Sequence, residues 1–269
     1  MILTKTEESK LLDSMAMKEY GIPEMVLMEN AGSSVVRLTE KYVDWDGAFT
    51  VILCGTGNNG GDGFVAARYV AGRGARVLVL LMGNEAHMSE SSKQYRHIID
   101  KMGIPVIPIS RAEEGAPYIH DADILVDALI GTGLSSEVKG EKALLITLMN
   151  EAQGIIISVD VPSGMLTDTG KAAGVVVDAD YTVALGSVKR GHVLYPGSSY
   201  TGTLLYSPIG IPDEARMDFP VHLTEKEDVF NILPVRNRVS HKGKNGFIGI
   251  FAGSYGMEGA ALLSGQGGP

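Results

Sequence analysis

Short, strongly apolar segments alternate with amphipathic helical patterns through most of this 269-residue chain. The apolar segments are rich in β-branched residues and are predicted strands at residues 49–54, 76–82, 104–108, 123–127, 154–160, 181–185 and 203–206. Strands that are apolar on both faces and separated by helices are typical of a parallel sheet covered on each side. The sequence therefore predicts an α/β fold with three αβα layers around a Rossmann-like, doubly wound, mostly parallel sheet. The helical patterns are too few for an eightfold barrel.

Two helices are predicted before the first strand. Apolar residues at near-helical spacing indicate helices over residues 4–17 and 24–42, separated by the Gly-Ile-Pro sequence at 21–23. Thr4 and Glu7 have the spacing of a capping box, so the first helix is predicted to begin at Thr4.

Composition excludes several classes of protein. The 23 basic and 32 acidic residues give a net charge of −9, which disfavours sequence-independent binding to nucleic acid. The longest apolar runs, such as residues 77–82, are far too short to cross a bilayer, and the first residues lack a signal-peptide layout. The single cysteine, Cys54, cannot form an internal disulfide, as is usual in a reducing compartment. We expect a cytoplasmic protein without membrane or nucleic-acid partners.

The composition of the sequence changes after residue 215. Prolines and mixed charges predict a linker over 216–239, between a domain of residues 1–215 and a segment of residues 240–269. That segment has a predicted strand at 245–253 and a helix from about residue 257. We expect it to be the truncated start of a second α/β domain, because about thirty residues cannot bury a core of their own.

A glycine-rich turn follows the first predicted strand of the sheet. Residues 55–63 read Gly-Thr-Gly-Asn-Asn-Gly-Gly-Asp-Gly and contain the spacing G-x-G-x-x-G of dinucleotide-binding proteins. An ordinary NAD site also needs an acidic residue at the end of the second strand, but that strand ends Leu-Leu-Met-Gly83. Asp62 would also repel a pyrophosphate. The turn therefore indicates close approach to a ligand rather than a standard cofactor site.

Aspartates end two further predicted strands. Asp127 is followed by the turn Gly131-Thr-Gly133, and Asp160 precedes Val-Pro-Ser-Gly164. Carboxyl ends of parallel strands meet at one edge of a sheet, so these aspartates and the Asn-Asn-Gly-Gly-Asp turn should converge in one cleft. Such hard oxygen ligands suit an alkali or alkaline-earth cation, and the glycine turn suits phosphate. Either aspartate could instead cap the turn that follows it.

Other chemistries have little support in the sequence. The six histidines show no spacing typical of zinc ligands. Cys54 next to the glycine turn is better explained as a small core residue than as a nucleophile. Neither the G-x-S-x-G turn of serine hydrolases nor the phosphate-binding loop of nucleotide kinases occurs in the chain.

Taken in order, the motifs resemble those of the YjeF N-terminal domain family, the NAD(P)H-hydrate epimerases. The resemblance covers about residues 1–215 and rests on segments 28–32, 57–63, 126–133, 159–164, 189–191 and 195–197. Residues 240–254 resemble the opening of the ribokinase-like, ADP-dependent NAD(P)H-hydrate dehydratase domain of bifunctional bacterial members. We expect no dehydratase activity from residues 240–269, because the catalytic and nucleotide sites of that domain lie further along the chain in the family.

The resemblance implies a reaction and a set of site residues. The family interconverts the R and S forms of NADHX and NADPHX, which are hydrated at C6 of the nicotinamide ring. A potassium ion would be bound by Asn59, Asp127 and Ser163. The residues implied to contact the substrate are Asn58, Asn59, Gly60, Gly61, Asp62, Gly131, Thr132, Gly133, Leu134, Ser135, Ser136, Glu137 and Asp160.

Inversion at C6 needs no carbanion, because the ring nitrogen can expel the hydroxyl and water can return to the other face. Opening of the ring to an aldehyde and reclosure is the alternative route. Either route needs a group that gives a proton to oxygen and later takes one back, and we assign this role to Asp160.

Two other functions remain open at this point. Some eukaryotic relatives of the domain are scaffold or RNA-binding modules, although a module without catalysis would be expected to lose costly acids such as Asp127 and Asp160. An NAD(P)-dependent oxidoreductase would need a ribose-binding acid, which the sequence lacks. A homo-oligomer is compatible with the sequence.

Overall fold

The computed structural model describes residues 1–215, 219–233, 247 and 249–267. It divides into two compact units, Met1–Leu223 and Thr224–Pro269. The first unit contains a seven-stranded sheet in which every pair of neighbouring strands is parallel. The strands follow the spatial order Val106–Ile109, Arg76–Met82, Phe49–Cys54, Ile124–Ala128, Ile155–Val159, Tyr181–Leu185 and Thr203–Ser207. The predicted three-layer, doubly wound sheet is confirmed.

The strands of the large sheet are β2 (Phe49–Cys54), β3 (Arg76–Met82), β4 (Val106–Ile109), β5 (Ile124–Ala128), β6 (Ile155–Val159), β7 (Tyr181–Leu185) and β9 (Thr203–Ser207). A separate parallel pair joins β1 (Leu3–Thr4) to β8 (Val188–Lys189). The longer helices of this unit are α1 (Thr6–Lys18), α2 (Glu24–Thr39), α3 (Asn58–Ala71), α4 (Glu90–Lys101), α5 (Ala112–His120) and α6 (Glu141–Glu151). Two short helices, α7 (Arg190–Val193) and α8 (Gly197–Tyr200), follow β8.

Two apolar clusters hold the layers together, one on each face of the sheet. Helices α1 to α4 supply one cluster, and α5 and α6 supply the other. The central strand β2 contributes to both, since Ile52 packs on the first face and Leu53 on the second. Alternate residues of a strand point to opposite faces, so a strand covered on both sides must be apolar throughout.

The start of the chain differs from the sequence-based expectation. Thr4 does not cap α1. It lies in β1, where it pairs with Lys189, and its hydroxyl is 2.8 Å from the Ser187 hydroxyl. Helix α1 begins two residues later, and the Lys5 amide donates to the Glu8 carboxylate at 2.6 Å. A tertiary strand partner for Thr4 therefore overrides the local capping signal.

Two other helices differ from the sequence-based prediction. Helix α3 begins at Asn58, four residues earlier than predicted, so the polar residues of the glycine turn form its first turn. Helix α5 was not predicted, and it contains Gly115 and Pro117, both poor helix formers. Its buried residues Ala112 and Ile119 provide the packing that compensates.

Residues 219–223 pack on the first unit, although they fall in the predicted linker 216–239. The amide of Leu3 donates to the Val221 carbonyl at 2.9 Å, and Phe219 is buried. Residues 216–218 and 234–239 of that predicted linker lie outside the described residues.

The second unit has two described helices, α9 (Lys226–Ile232) and α10 (Gly259–Gln266). The strand predicted at 245–253 is absent where the structure describes that segment, at residues 247 and 249–253. Its other residues, 245, 246 and 248, lie outside the described part of the chain. A strand needs a neighbour to pair with, and no strand partner occurs in the described part of this unit. No helix described for either unit is long and apolar enough to cross a bilayer.

Candidate active site at the reversal of strand order

The direction of chain winding reverses between β2 and β5, and the turns after these two strands open a crevice at the carboxyl edge of the sheet. A cavity of about 480 Å³ lies there. Helices α1 and α2 cover it from above, and the ends of β2, β5, β6 and β7 form its floor. Its polar lining includes Ser9, Lys10, Asp13, Glu24, Asn58, Asn59, Asp62, Thr132, Lys142, Asp160 and Lys189.

Backbone crowding explains the glycines after β2. A Cβ on Gly60 would lie 1.9 Å from the Gly55 carbonyl oxygen, and a Cβ on Gly55 would lie 2.2 Å from the Leu129 oxygen. These two positions therefore admit only glycine. Gly60 packs within the turn after β2, and Gly55 brings that turn against the turn after β5. The close approach leaves Asn58 and Asn59 at the first turn of α3, where free backbone amides favour an anion.

Asp127 lies below this crevice, fully buried at the end of β5. Its Oδ2 accepts from the Ser158 hydroxyl at 2.9 Å and from the Ser163 amide at 2.8 Å. Its Oδ1 accepts from the Ser163 hydroxyl at 2.5 Å. Burial raises the pKa of Asp127, while the hydrogen bonds from Ser163 and Ser158 oppose that rise.

The same region offers oxygen ligands to a cation. Ser163 Oγ lies 3.1 Å from the Ile130 carbonyl oxygen as well as next to Asp127. Asn59 packs on Gly131, and its buried Nδ2 has no hydrogen-bond partner in the described residues. Carboxylate, hydroxyl, carbonyl and amide oxygens are ligands of hard cations. In the described residues, no three His, Cys, Asp or Glu side chains gather as they would for a transition metal.

Asp160 has an unusual backbone conformation at the end of β6. Its φ of 64° lies in the left-handed region, which non-glycine residues adopt rarely and aspartate more readily than most. The conformation turns its carboxylate into the cavity, where Oδ1 accepts from the Leu185 amide at 2.9 Å. The same oxygen forms an ion pair with Lys189.

Lys189 is the cation of this pair, and 1% of its side chain is exposed. Its ammonium group also donates to the Leu185 carbonyl at 2.8 Å. The Lys189 amide donates to Nδ1 of buried His192 at 3.2 Å. Burial, with the charge of Lys189, lowers the pKa of His192 to about 4. His192 is therefore neutral at pH 7 and does not compete with Lys189 for Asp160.

Two more carboxyl groups line the cavity without an ion-pair or hydrogen-bond partner among the described residues. Burial raises the pKa of Asp13 to about 6 and the pKa of Asp62 well above its ordinary value. The negative charge of Asp160 adds to both shifts, and the positive charge of Lys189 opposes them. These two carboxyls differ electrostatically from Asp160, which is ion-paired.

Ile209 completes the cavity wall after β9. Its φ of 47° is strained for a β-branched residue, and Asn30 Nδ2 fixes the strained backbone by donating to its carbonyl at 2.8 Å. Gly210 follows it, and a Cβ there would lie 2.8 Å from the same Asn30 nitrogen. Residue 30 thus anchors the last wall of the cavity to helix α2.

The structure brings together most of the site residues predicted from the sequence. Asn58, Asn59, Asp62, Gly131, Thr132, Gly133 and Asp160 line the cavity, with Asp127 and Ser163 buried beside it. Gly60 and Gly61 are buried at the start of α3, Gly60 against the Gly55 backbone and Gly61 against Met28 and Ser92. Leu134, Ser135, Ser136 and Glu137 are not part of the lining, and Glu137 pairs with Lys139 at 2.8 Å. The contact of all these residues with substrate stays a prediction.

Sequence reasoning missed Asp13 and gave no role to Lys189. The signal for Asp13 is helical spacing, because Ser9, Asp13 and Met17 recur every four residues and share the cavity face of α1. Lys189 carries no comparable local signal, since its partner Asp160 is 29 residues away.

The sequence matches a known protein family and several named relatives. Residues 24–191 match the family model described as YjeF-related protein N-terminus. The chain is 39% identical over 98% of its length to the "Bifunctional NAD(P)H-hydrate repair enzyme Nnr" of Thermofilum pendens, covering 50% of that protein. It spans about half the length of the bifunctional relatives it matches.

Relatives of shorter length also match. The "NAD(P)H-hydrate epimerase" of Limosilactobacillus fermentum is 40% identical over 195 residues, which cover 72% of this chain and 89% of that enzyme. Among solved structures, the yeast protein ynu0 superposes with a TM-score of 0.68 at 24% identity, over 80% of this chain and 92% of that one. The match of the family model to more than half of the sequence, together with these relatives, shows that the chain belongs to the YjeF-related protein N-terminus family.

Proposed function

We propose that the Met1–Leu223 unit is an epimerase that interconverts the R and S forms of NADHX and NADPHX and so serves nicotinamide nucleotide repair. The observation that carries this proposal is the alignment with the Limosilactobacillus fermentum NAD(P)H-hydrate epimerase, which covers 89% of that enzyme. The family match over residues 24–191 includes the ion-paired residues Asp160 and Lys189. We place the activity in the cytoplasm.

The chemistry of the cavity suits a hydroxyl exchange next to a ring nitrogen. Lys189 holds the Asp160 carboxylate at the cavity wall, ready to exchange a proton with an oxygen. The half-enclosed site limits water around the ring, so that returning water would be directed by the protein rather than by bulk solvent. No hydride acceptor is required.

The phosphates of the substrate have a separate set of partners. Backbone amides at the start of α3 and in the turn Gly131–Gly133 suit phosphate oxygens. Lys10 and Lys142 add positive charge to the same cavity. This arrangement explains how acidic Asp62 coexists with a dinucleotide, because its raised pKa favours the neutral carboxyl.

We also propose that Asn59, Asp127 and Ser163 hold a potassium ion. Support comes from neighbouring oxygen atoms. Ser163 Oγ lies 2.5 Å from Asp127 Oδ1 and 3.1 Å from the Ile130 carbonyl oxygen, and Asn59 packs on Gly131. When bound, the ion supplies positive charge near the proposed phosphate site. Asp127 and Ser163 keep the turn in place through Ile130, whose amide donates to Ser163 Oγ at 2.8 Å.

The function is tested by incubating the purified protein with R-NADHX and following S-NADHX by chiral chromatography. We expect the Asp160→Asn variant to lose activity by about 100- to 10,000-fold, the usual range for a proton-transfer group. Asparagine tolerates the left-handed backbone at this position, so the variant should fold. Exposed Asp178→Asn is the matched control. A wild-type rate equal to the uncatalysed rate would contradict the proposal.

The scaffold or RNA-binding alternative is not favoured. An unpartnered, half-buried carboxyl costs stability, and a chain without catalytic use for the cavity would gain stability by replacing Asp13 or Asp62. Both carboxyls are present in this chain.

A further inference from the structure

The cavity contains carboxyl groups of two kinds. Asp160 is ion-paired with Lys189 and accepts from the Leu185 amide. Asp13 and Asp62 have neither an ion pair nor a hydrogen bond to any described residue, although both line the cavity. Pairs of acids held in opposite environments are the arrangement that separates an acid from a base in many enzymes.

The carboxyls of Asp13 and Asp160 both lie against one turn, the one between β7 and β8. The Leu185 amide of this turn donates to Asp160. Asp13 Oδ1 lies 3.8 Å from the position that a Cβ on Gly186 would occupy. The two carboxyls come from different elements, α1 and the end of β6, and both reach the cavity.

The charges around Asp13 favour its protonated form. Burial is the largest influence on its pKa, and the negative charges of Asp160 and Glu24 act in the same direction. The ammonium of Lys189 opposes them without forming an ion pair with Asp13. Lys10 and Asp62 are the other charged or titratable side chains that line the cavity from α1 and α3, with Lys142 from α6. The result is a pKa of about 6, close to the value that suits an acid at neutral pH.

We propose that Asp13 is a second catalytic residue, the general acid that works opposite the base Asp160 in the epimerisation. This inference rests on the proposed function and deepens it, because two groups replace the single proton-exchanging residue expected from the sequence. Neither the motif around Asp160 nor any relative's name assigns a role to Asp13.

The step balances with these two groups. Asp13 gives its proton to the C6 hydroxyl, the C6–O bond breaks, and the lone pair of N1 forms a C6=N1 iminium as water leaves. A second water adds to C6 from the opposite face while Asp160 takes its proton, and the N1 lone pair is restored. The proton then returns from Asp160 to Asp13 through solvent. In the reverse direction the two residues exchange roles.

The test is the pH dependence of kcat/KM for R-NADHX in wild type, Asp13→Asn, Asp13→Glu and Asp62→Asn. Wild type should lose activity as the pH rises past about 6, because the acid loses its proton. Asp13→Asn should lower kcat by about 100-fold or more and remove this alkaline limb, with KM within about threefold of wild type. Asp13→Glu should restore the limb. Asp62→Asn should keep it.

Three outcomes would overturn the assignment while leaving the epimerase function intact. These are Asp13→Asn activity within about threefold of wild type, an unchanged pH profile, or loss of the limb in Asp62→Asn alone. A wild type without epimerase activity would instead refute the function itself. Thermal unfolding controls for folding, and Asp13→Asn should be at least as stable as wild type at pH 8, because it removes an unpaired carboxylate from a half-buried site.

Discussion

Lys189 and Asp160 form an ion pair in which the lysine is buried and the aspartate opens onto the cavity. The pair joins two segments that are 29 residues apart in the chain. Strand β1 supports the lysine from the other side, since Thr4 is its neighbour in the small sheet. The ion pair therefore connects the proposed catalytic base to the N-terminal strand.

Removing the lysine charge should cost stability as well as activity. Lys189→Met leaves the Asp160 carboxylate without its buried partner, a loss usually worth about 3–5 kcal/mol. In the double variant Lys189→Met/Asp160→Asn the lone charge is also removed, and we expect part of the free energy of unfolding to return. Urea unfolding at pH 7.5 measures the free energy of unfolding of the two variants and of wild type. Equal stability of the single and double variants would show that the pair is not coupled.

Potassium should stabilise the first unit specifically. If Asn59, Asp127 and Ser163 bind the ion, KCl should raise the unfolding temperature more than choline chloride at the same ionic strength, because only the small cation fits among close oxygens. Ser163→Ala should reduce the difference, and exposed Asp178→Asn should leave it unchanged. Identical responses of wild type to the two salts would exclude the site.

Replacement by alanine should have a small effect on stability at one glycine of the turn after β2 and a large effect at another. A Cβ on Gly57 meets nothing within 4 Å, whereas one on Gly60 lies 1.9 Å from the Gly55 oxygen. We expect Gly57→Ala to change the free energy of unfolding by less than about 1 kcal/mol and Gly60→Ala to lower it by several times as much, about 2–4 kcal/mol. Denaturant unfolding compares them. A Gly60→Ala protein as stable as Gly57→Ala would refute the close approach of Gly60 to the Gly55 carbonyl.

His192 should make the first unit sensitive to acid. Its pKa is lowered to about 4 in the folded state, against about 6.5 in an unfolded chain. Its contribution to stability is therefore complete above about pH 6.5 and is lost as the pH falls toward 4, by about 3 kcal/mol in total. The rise of the Asp13 pKa acts with the opposite sign between about pH 4 and 6.

Urea unfolding at pH 7.5 and pH 5 separates these contributions. We expect His192→Gln to lose less stability than wild type between the two pH values, and Asp13→Asn to lose more. If His192→Gln keeps the full acid sensitivity of wild type, other groups are responsible for it.

The sheet could be predicted well because its signal is local. Strands such as Phe49–Cys54 and Arg76–Met82 are apolar runs long enough to identify without knowledge of their neighbours. The three polar strand ends could be placed in one crevice because parallel strands share a direction. This rule alone predicts that Asp127, Asp160 and the turn after β2 lie at the same edge of the sheet.

The parts that could not be predicted depend on distant partners. Strand β1 has two residues and exists only because it pairs with β8. The burial of Asp13 depends on how α1 crosses the cavity, and spacing within the helix does not fix that crossing. Helix α5 is stabilised by Ala112 and Ile119 against the sheet, despite unfavourable residues in its own sequence.

The position of Ile209 has a consequence for synthesis of the protein. This residue completes a cavity whose first wall residue is Ser9, so nearly the whole first unit must leave the ribosome before the cavity can close. A nascent chain that has not reached Ile209 therefore lacks a complete pocket. A ligand of this pocket can stabilise the fold only after nearly all of this unit has been translated.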